Sequence, residues 1–214
     1  MQHLRAACVG LDMNAASTWP AAYRIETPRL ALRCFDPCDA PAVKAIVDRR
    51  RGELGPWLEL GEPEAVEVMA ARLLRFRAVF DAGERFHYAA FSGDKPELAG
   101  TISIEPIGGR GLLVGGWISP ELGGGGLATE ALTAVCQLAF EVRSARFVEL
   151  RIRADNTASK ELAERTGFLH EATLAGRVWS RDVAYDETIW TLTRERMTRS
   201  IALHAYDVLG RQFI

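Results

Sequence analysis

The chain has 214 residues, 48% of them hydrophobic, which suits one domain with a substantial core. Its 26 basic and 28 acidic residues leave a net charge of −2, which excludes a general attraction to DNA or to an anionic membrane, so that any RNA contact would be local. No run is apolar and long enough to span a bilayer, and Met1–Gly10 lacks the apolar stretch of a signal peptide, so the default expectation is a cytoplasmic protein. The four cysteines, Cys8, Cys34, Cys38 and Cys136, are irregularly spaced, as reduced thiols are; no His or further Cys lies near Cys34 and Cys38, and no metal site is expected.

Residues 1–24 read as an N-terminal extension, flexible or loosely docked, because Ala, Ser, Thr and Asn are mixed there without periodicity. The domain proper is placed at 25–197, opening with a strand over Leu30–Phe35. A helix follows to Arg50, with Val43, Ile46 and Val47 at helical spacing and Asp39 as its expected cap. The run Arg49-Arg50-Arg51 is read as a solvated helix end in preference to a nucleic-acid patch. Glu62–Asp81 predicts an amphipathic helix, with Val66, Met69, Leu73, Phe76 and Phe80 on one stripe. Phe86–Ser92 and Leu98–Ile107 predict a hairpin joined by Gly93-Asp94-Lys95-Pro96, and Leu112–Ile118 a third antiparallel strand.

After that strand comes Ser119-Pro-Glu-Leu-Gly-Gly-Gly-Gly-Leu-Ala-Thr-Glu-Ala-Leu132, and then a helix over Leu127–Arg143. Glycines at a strand-to-helix turn let the backbone approach a ligand, and the unpaired N–H groups of the first helical turn favour an anion such as phosphate. A plain turn has the same composition. The spacing is not that of a P-loop, which needs Lys-Ser/Thr after its last glycine, and the loop lies too late in the chain for a Rossmann fingerprint. The helix must cross over to Phe147–Arg153, making a parallel βαβ unit. In that strand Val148, Leu150 and Ile152 alternate with Glu149, Arg151 and Arg153, which suggests either a wet groove or an ion-pair ladder. A helix begins around Asp155–Lys160, strands are expected over Phe168–Thr173 and Val183–Leu192, and Thr193–His204 looks helical, leaving 198–214 as a C-terminal extension.

Two separated motifs carry a family resemblance. Trp117-Ile118-Ser119-Pro120-Glu121 and Ala128-Thr129-Glu130-Ala131-Leu132 around the glycine loop, and Asn156-x-x-Ser159 followed by Ala163-Glu-Arg-x-Gly-Phe168, are similar to the GNAT acetyltransferases of RimJ/RimL type, the ribosomal-protein N-terminal acetyltransferases. The Thr27-Pro-Arg-Leu30 and Glu53-Leu-x-Pro-Trp-Leu58 segments resemble the same group, over about 25–197. The resemblance implies an α/β (α+β) GNAT fold: a mixed, mostly antiparallel twisted sheet flanked by helices, with a central parallel strand pair splayed to hold acetyl-CoA.

It also implies roles. Gly123, Gly124, Gly125, Gly126, Leu127, Ala128 and Thr129 would hold the pyrophosphate, and backbone groups around Gly116, Trp117 and Ile118 would hold pantetheine and the oxyanion. Asn156 would bond the pantetheine arm, Lys160 would reach the 3′-phosphate, and Ser159 would lie near the sulfur and protonate the leaving thiolate. Glu171 matches a glutamate suited to be the base, with Glu105 the second choice on the substrate side, and Trp57 either lines the acceptor groove or covers the core edge. Four positions depart from the pattern: Gly123 stands where a basic residue or glutamine is usual, Gly125 where a basic residue is frequent, Leu113 where Glu is frequent, and Gly116 where Tyr is common, suggesting a wider pocket or a changed acceptor. The expected activity is transfer of acetyl from acetyl-CoA, as co-substrate and without a metal, to a primary amine, either a protein N-terminus or a small molecule, by a monomer or weak homodimer. A non-catalytic acyl-CoA sensor of the same fold is the alternative.

Overall fold

The computed structural model describes residues 21–58, 60–92, 97–119, 126–180 and 182–214. Residues 1–20, the expected turn Gly93–Pro96 and the loop glycines Gly123, Gly124 and Gly125 lie outside them.

The chain enters as strand β1 (Arg24–Glu26) and returns antiparallel as β2 (Leu30–Cys34). A short 3-10 turn, Pro37–Asp39, precedes helix α1 (Ala40–Arg49). Asp39 stands at the N-cap position of α1 as expected but makes no capping bond; Pro37 starts the turn early, Asp36 caps that turn by accepting from the Cys38 backbone N at 2.8 Å, and the Asp39 carboxylate accepts from the Asp36 N and from Arg33. The arginine run is not a solvated helix end throughout. The backbone breaks at Arg50 between α1 and the short α2 (Arg51–Leu54), which turns the Arg50 side chain inward to 4% exposure; there it donates to the Ser119 hydroxyl and pairs with Glu53 at 2.5 Å.

Helix α3 (Val66–Asp81) buries Met69, Leu73 and Phe80. It is followed by β3 (Phe86–Ser92), β4 (Leu98–Ile107) and β5 (Gly111–Ile118), each antiparallel to the one before. Helix α4 (Leu127–Glu141) crosses over to β6 (Phe147–Arg153), and α5 (Thr157–Arg165) leads to the long hairpin β7 (Leu169–Ser180) and β8 (Val183–Thr193). The expected helix over Thr193–His204 does not form. After a single 3-10 turn, Arg194–Arg196, the chain is extended, because Leu203 and Ala205 alternate into the core and β9 (His204–Tyr206) pairs with β1.

Among the described residues all strands join one sheet, in the order β7-β8-β6-β5-β4-β3-β2-β1-β9. Every pairing is antiparallel except β5 with β6, which the α4 crossover makes parallel. Helix α4 is buried along nearly its whole length and packs with α5 on one face, against Leu112, Val114, Val148, Leu150 and Ile152. On the other face α1 and α3 form a second core with Ala89 and Leu98 of β3 and β4. No helix among the described residues is long and apolar enough to cross a membrane.

Candidate active site

Strands β5 and β6 pair through only three rungs, Gly111 with Phe147, Leu112 with Val148 and Leu113 with Glu149, although β5 continues to Ile118 and β6 to Arg153. Both remain fully paired on their outer sides, β5 to β4 up to Ile118 and β6 to β8 up to Arg153 with Glu187. The two strands therefore part after Leu113 and Glu149. In the gap the inner edge of Val114–Ile118, which includes Gly116, Trp117 and Ile118, offers backbone donors and acceptors to an extended ligand entering as an added strand would.

Gly116 lies on this edge with φ +149°, and a Cβ built there would meet the Thr101 carbonyl oxygen at 2.2 Å. The glycine is thus dictated by the close approach of β4, whatever width it gives the pocket. Trp117 packs its ring on the α1 and α3 core and Ile118 on the α4 core, so both side chains anchor the strand while its backbone edge faces the gap. Ser119, held by Arg50, fixes the point where the chain leaves β5.

At the open end α4 begins. Gly126 takes a left-handed conformation, φ +99°, and the first helical bond runs from the Glu130 N to the Gly126 carbonyl, so the N–H groups of Leu127, Ala128 and Thr129 have no partner within the helix. The missing loop charge has a counterpart here. The Arg29 guanidinium lies close enough that a Cβ on Gly126 would sit 3.9 Å from Nη2, and Arg165 donates to the Thr129 hydroxyl at 3.4 Å. Arg29 is fixed by Glu130, which accepts from its backbone N at 2.9 Å and its Nε at 2.5 Å and from the Thr27 hydroxyl at 2.6 Å. Burial alone would raise the Glu130 carboxyl, but these hydrogen bonds and the Arg29 charge outweigh it and hold the group below the usual carboxylate range. Thr27 and Arg29 belong to the Thr27–Leu30 motif, and the residue they serve lies 103 and 101 positions further along the chain.

Asn156 caps α5, its Oδ1 accepting from the Ser159 backbone N at 3.2 Å. The cap uses the Asn156 side chain and leaves the Ser159 hydroxyl for other chemistry, and both residues sit just beyond the end of β6, on the open side of the gap. Lys160 folds back to donate to the Ala154 carbonyl at 2.6 Å, bracing the turn between β6 and α5.

The face away from α4 carries the polar side chains of β6. Arg151 Nε lies 2.7 Å from Glu149 along the strand, and Arg153 reaches across the groove mouth, bonding the Pro56 carbonyl at 2.6 Å and Asp155 at 2.6 Å. Its guanidinium sits between the rings of Trp57, at 4.6 Å, and Tyr185, at 4.0 Å. Trp57 is 44% exposed, with the Arg153 guanidinium over its ring. Glu105 is paired with Arg85, next to His87, whose ring stacks on Phe76 and is pushed down to about 4 by burial first and by Arg85 second. Glu171 is exposed, at a bulge of β7 between His170 and Ala172, and β8 separates it from β6.

The central parallel pair of the sheet thus opens after three rungs, and the first turn of α4 presents N–H groups unpaired within the helix beside the opening. A family model described as an acetyltransferase (GNAT) domain matches residues 29–169. The chain belongs to this GNAT acetyltransferase family and is an acetyl-CoA-dependent N-acetyltransferase. An uncharacterized N-acetyltransferase of Bacillus subtilis (strain 168), YoaA, is 25% identical over 174 residues, covering 80% of this chain and 97% of its own. Among solved structures, Mycobacterium smegmatis RimJ in complex with CoA-disulfide superposes with a TM-score of 0.76 at 22% identity, over 85% of this chain and 93% of its own. The RimL ribosomal L7/L12 alpha-N-protein acetyltransferase in complex with coenzyme A gives 0.71 at 22% identity, over 78% of this chain and 95% of its own.

Proposed function

We propose that the chain acetylates a primary amine, a protein or peptide N-terminus or a small-molecule amine, by direct attack on the acetyl-CoA thioester within the gap between β5 and β6. The observation that carries this reading is the parting of the two strands after Leu113 and Glu149, with the start of α4 at the open end. The residues present fit such a ligand: the free edge of Val114–Ile118 suits the amides of pantetheine, and the Leu127–Thr129 N–H groups, with Arg29 and Arg165 beside them, suit a pyrophosphate.

In the reaction the amine nitrogen forms a bond to the thioester carbon, and a backbone N–H on the Gly116–Ile118 edge stabilises the resulting oxyanion. The C–S bond then breaks, and Ser159 gives its hydroxyl proton to the departing thiolate while the surplus proton on nitrogen returns to Ser159 through water. Glu171, reached through water, takes the proton that the acceptor ammonium must lose before attack. Asn156 steadies the pantetheine arm, Lys160 turns from the Ala154 carbonyl to the 3′-phosphate, and Trp57 and Glu105 border the acceptor.

The test pairs calorimetry with acetyl-CoA and a free-thiol release assay over a panel of amines and peptides, on wild type and Ser159→Ala. The expected outcome is retained binding and a rate lowered by about 10²–10⁴ in the variant. Binding without thiol release from any acceptor would establish the sensor instead, and an unaltered rate in Ser159→Ala would remove the serine from the chemistry.

A further inference from the structure

Where β5 and β6 part, one row of side chains crosses the sheet. Glu105 of β4 is opposite Leu113 of β5, Leu113 is opposite Glu149 of β6, and Glu149 is opposite Thr191 of β8. Because side chains alternate along a strand, and Val148 and Leu150 point into the α4 core, Glu149 stands on the other face, where the α1 and α3 core reaches across the sheet only as far as Trp117 of β5. Leu113 brings no charge to this row. Glu149, on the last shared rung, brings a carboxylate to the vertex of the opening from the neighbouring strand.

Its surroundings are those of a held side chain. Glu149 is 14% exposed and its Oε1 accepts from Arg151 Nε at 2.7 Å, so one oxygen is fixed by a guanidinium that is itself half exposed. The other charged groups near the row are Glu105, neutralised by Arg85, and Glu187 of β8, whose charge adds to that of Glu149 around Arg151. Glu171 lies on the far side of β8.

We infer that Glu149 holds the acceptor's ammonium group at the vertex of the strand opening, so that the substrate class is a cationic aliphatic amine or peptide N-terminus. This rests on the acetyltransferase reading of the same gap and adds to it a positioning carboxylate on β6. The ammonium docks against the second carboxylate oxygen, loses its proton through water to Glu171, and the neutral nitrogen is left beside the thioester; no other bond changes at Glu149.

The experiment uses the full chain with the best acceptor found in the panel. Glu149→Gln should raise KM for the amine by about 10–100-fold at neutral pH, as expected for loss of a charge-assisted contact, with kcat changed much less and acetyl-CoA affinity unchanged by calorimetry. Glu149→Asp should recover most of the loss. For a peptide N-terminus, whose amine titrates at about 7.7–8.0, the penalty should shrink as pH rises above that range, because the ammonium form disappears. Arg151→Gln should not raise KM. A pH-independent loss shared equally by Glu149→Gln and Arg151→Gln would make Glu149 merely structural and overturn the inference, as would an unchanged KM in Glu149→Gln. Absence of thiol release from wild type would overturn the transfer reading itself, an outcome distinct from either.

Discussion

Gly116 shows how a single position can suggest one cause in the sequence and have another in the fold. As a departure from a family pattern it points to a wider pocket; in the structure the residue has a backbone conformation that L side chains rarely adopt and no space for a Cβ against Thr101. Gly116→Ala should therefore cost about 2–4 kcal/mol of stability from overpacking and backbone strain, read as a lower urea midpoint. An unchanged midpoint would refute the backbone explanation. Arg50 makes the same point with a charge. Three consecutive arginines are indistinguishable as letters, and only the break between α1 and α2 decides that the middle one is buried against Ser119.

At the scale of elements, the link between the β1–β2 turn and α4 is carried by Glu130, which gathers Thr27 and Arg29 onto the first turn of the helix. Its folded-state pKa is depressed, so its contribution to stability is fully present above the unfolded carboxylate value of about 4.3 and is lost as pH falls through the lower folded value. Glu130→Gln should lower the denaturation midpoint at pH 7 and flatten its fall on the acid side; parallel wild-type and variant curves would show that the latch carries no titratable stability. The elements themselves were largely legible. β6 occupies Phe147–Arg153 as read, since its alternation is unbroken, and the parallel pair followed from the length of the crossover. What could not be read was register. That Leu113 faces Glu149, or that Arg29 reaches the start of α4, depends on pairings between distant segments, and no local spacing encodes them. The stretch after Thr193 was misread because Arg, Glu, Met, Ala and Leu favour a helix locally, whereas pairing with β1 makes Leu203 and Ala205 follow period two.

For the whole molecule, the consequence is that residues beyond Met197 share the main core. Leu203 and Ala205 are buried, Ile201, Phe213 and Ile214 pack against the same cluster, and Tyr206 donates its hydroxyl to Glu26 at 3.0 Å. Truncation after residue 197 should lower stability by about 3–5 kcal/mol, the scale of losing a few buried apolar side chains. Equal thermal midpoints for the full and truncated chains would mark 198–214 as a dispensable extension. The β1–β9 pairing also imposes an order in time. β1 is synthesised well before its outer partner, with Glu26 and Tyr206 separated by 180 positions. Until β9 emerges, β1 has an open edge and Ile25 lacks the neighbour that closes over it, so this side of the sheet can be sealed only after the strands that part beyond Leu113 and Glu149 have been synthesised.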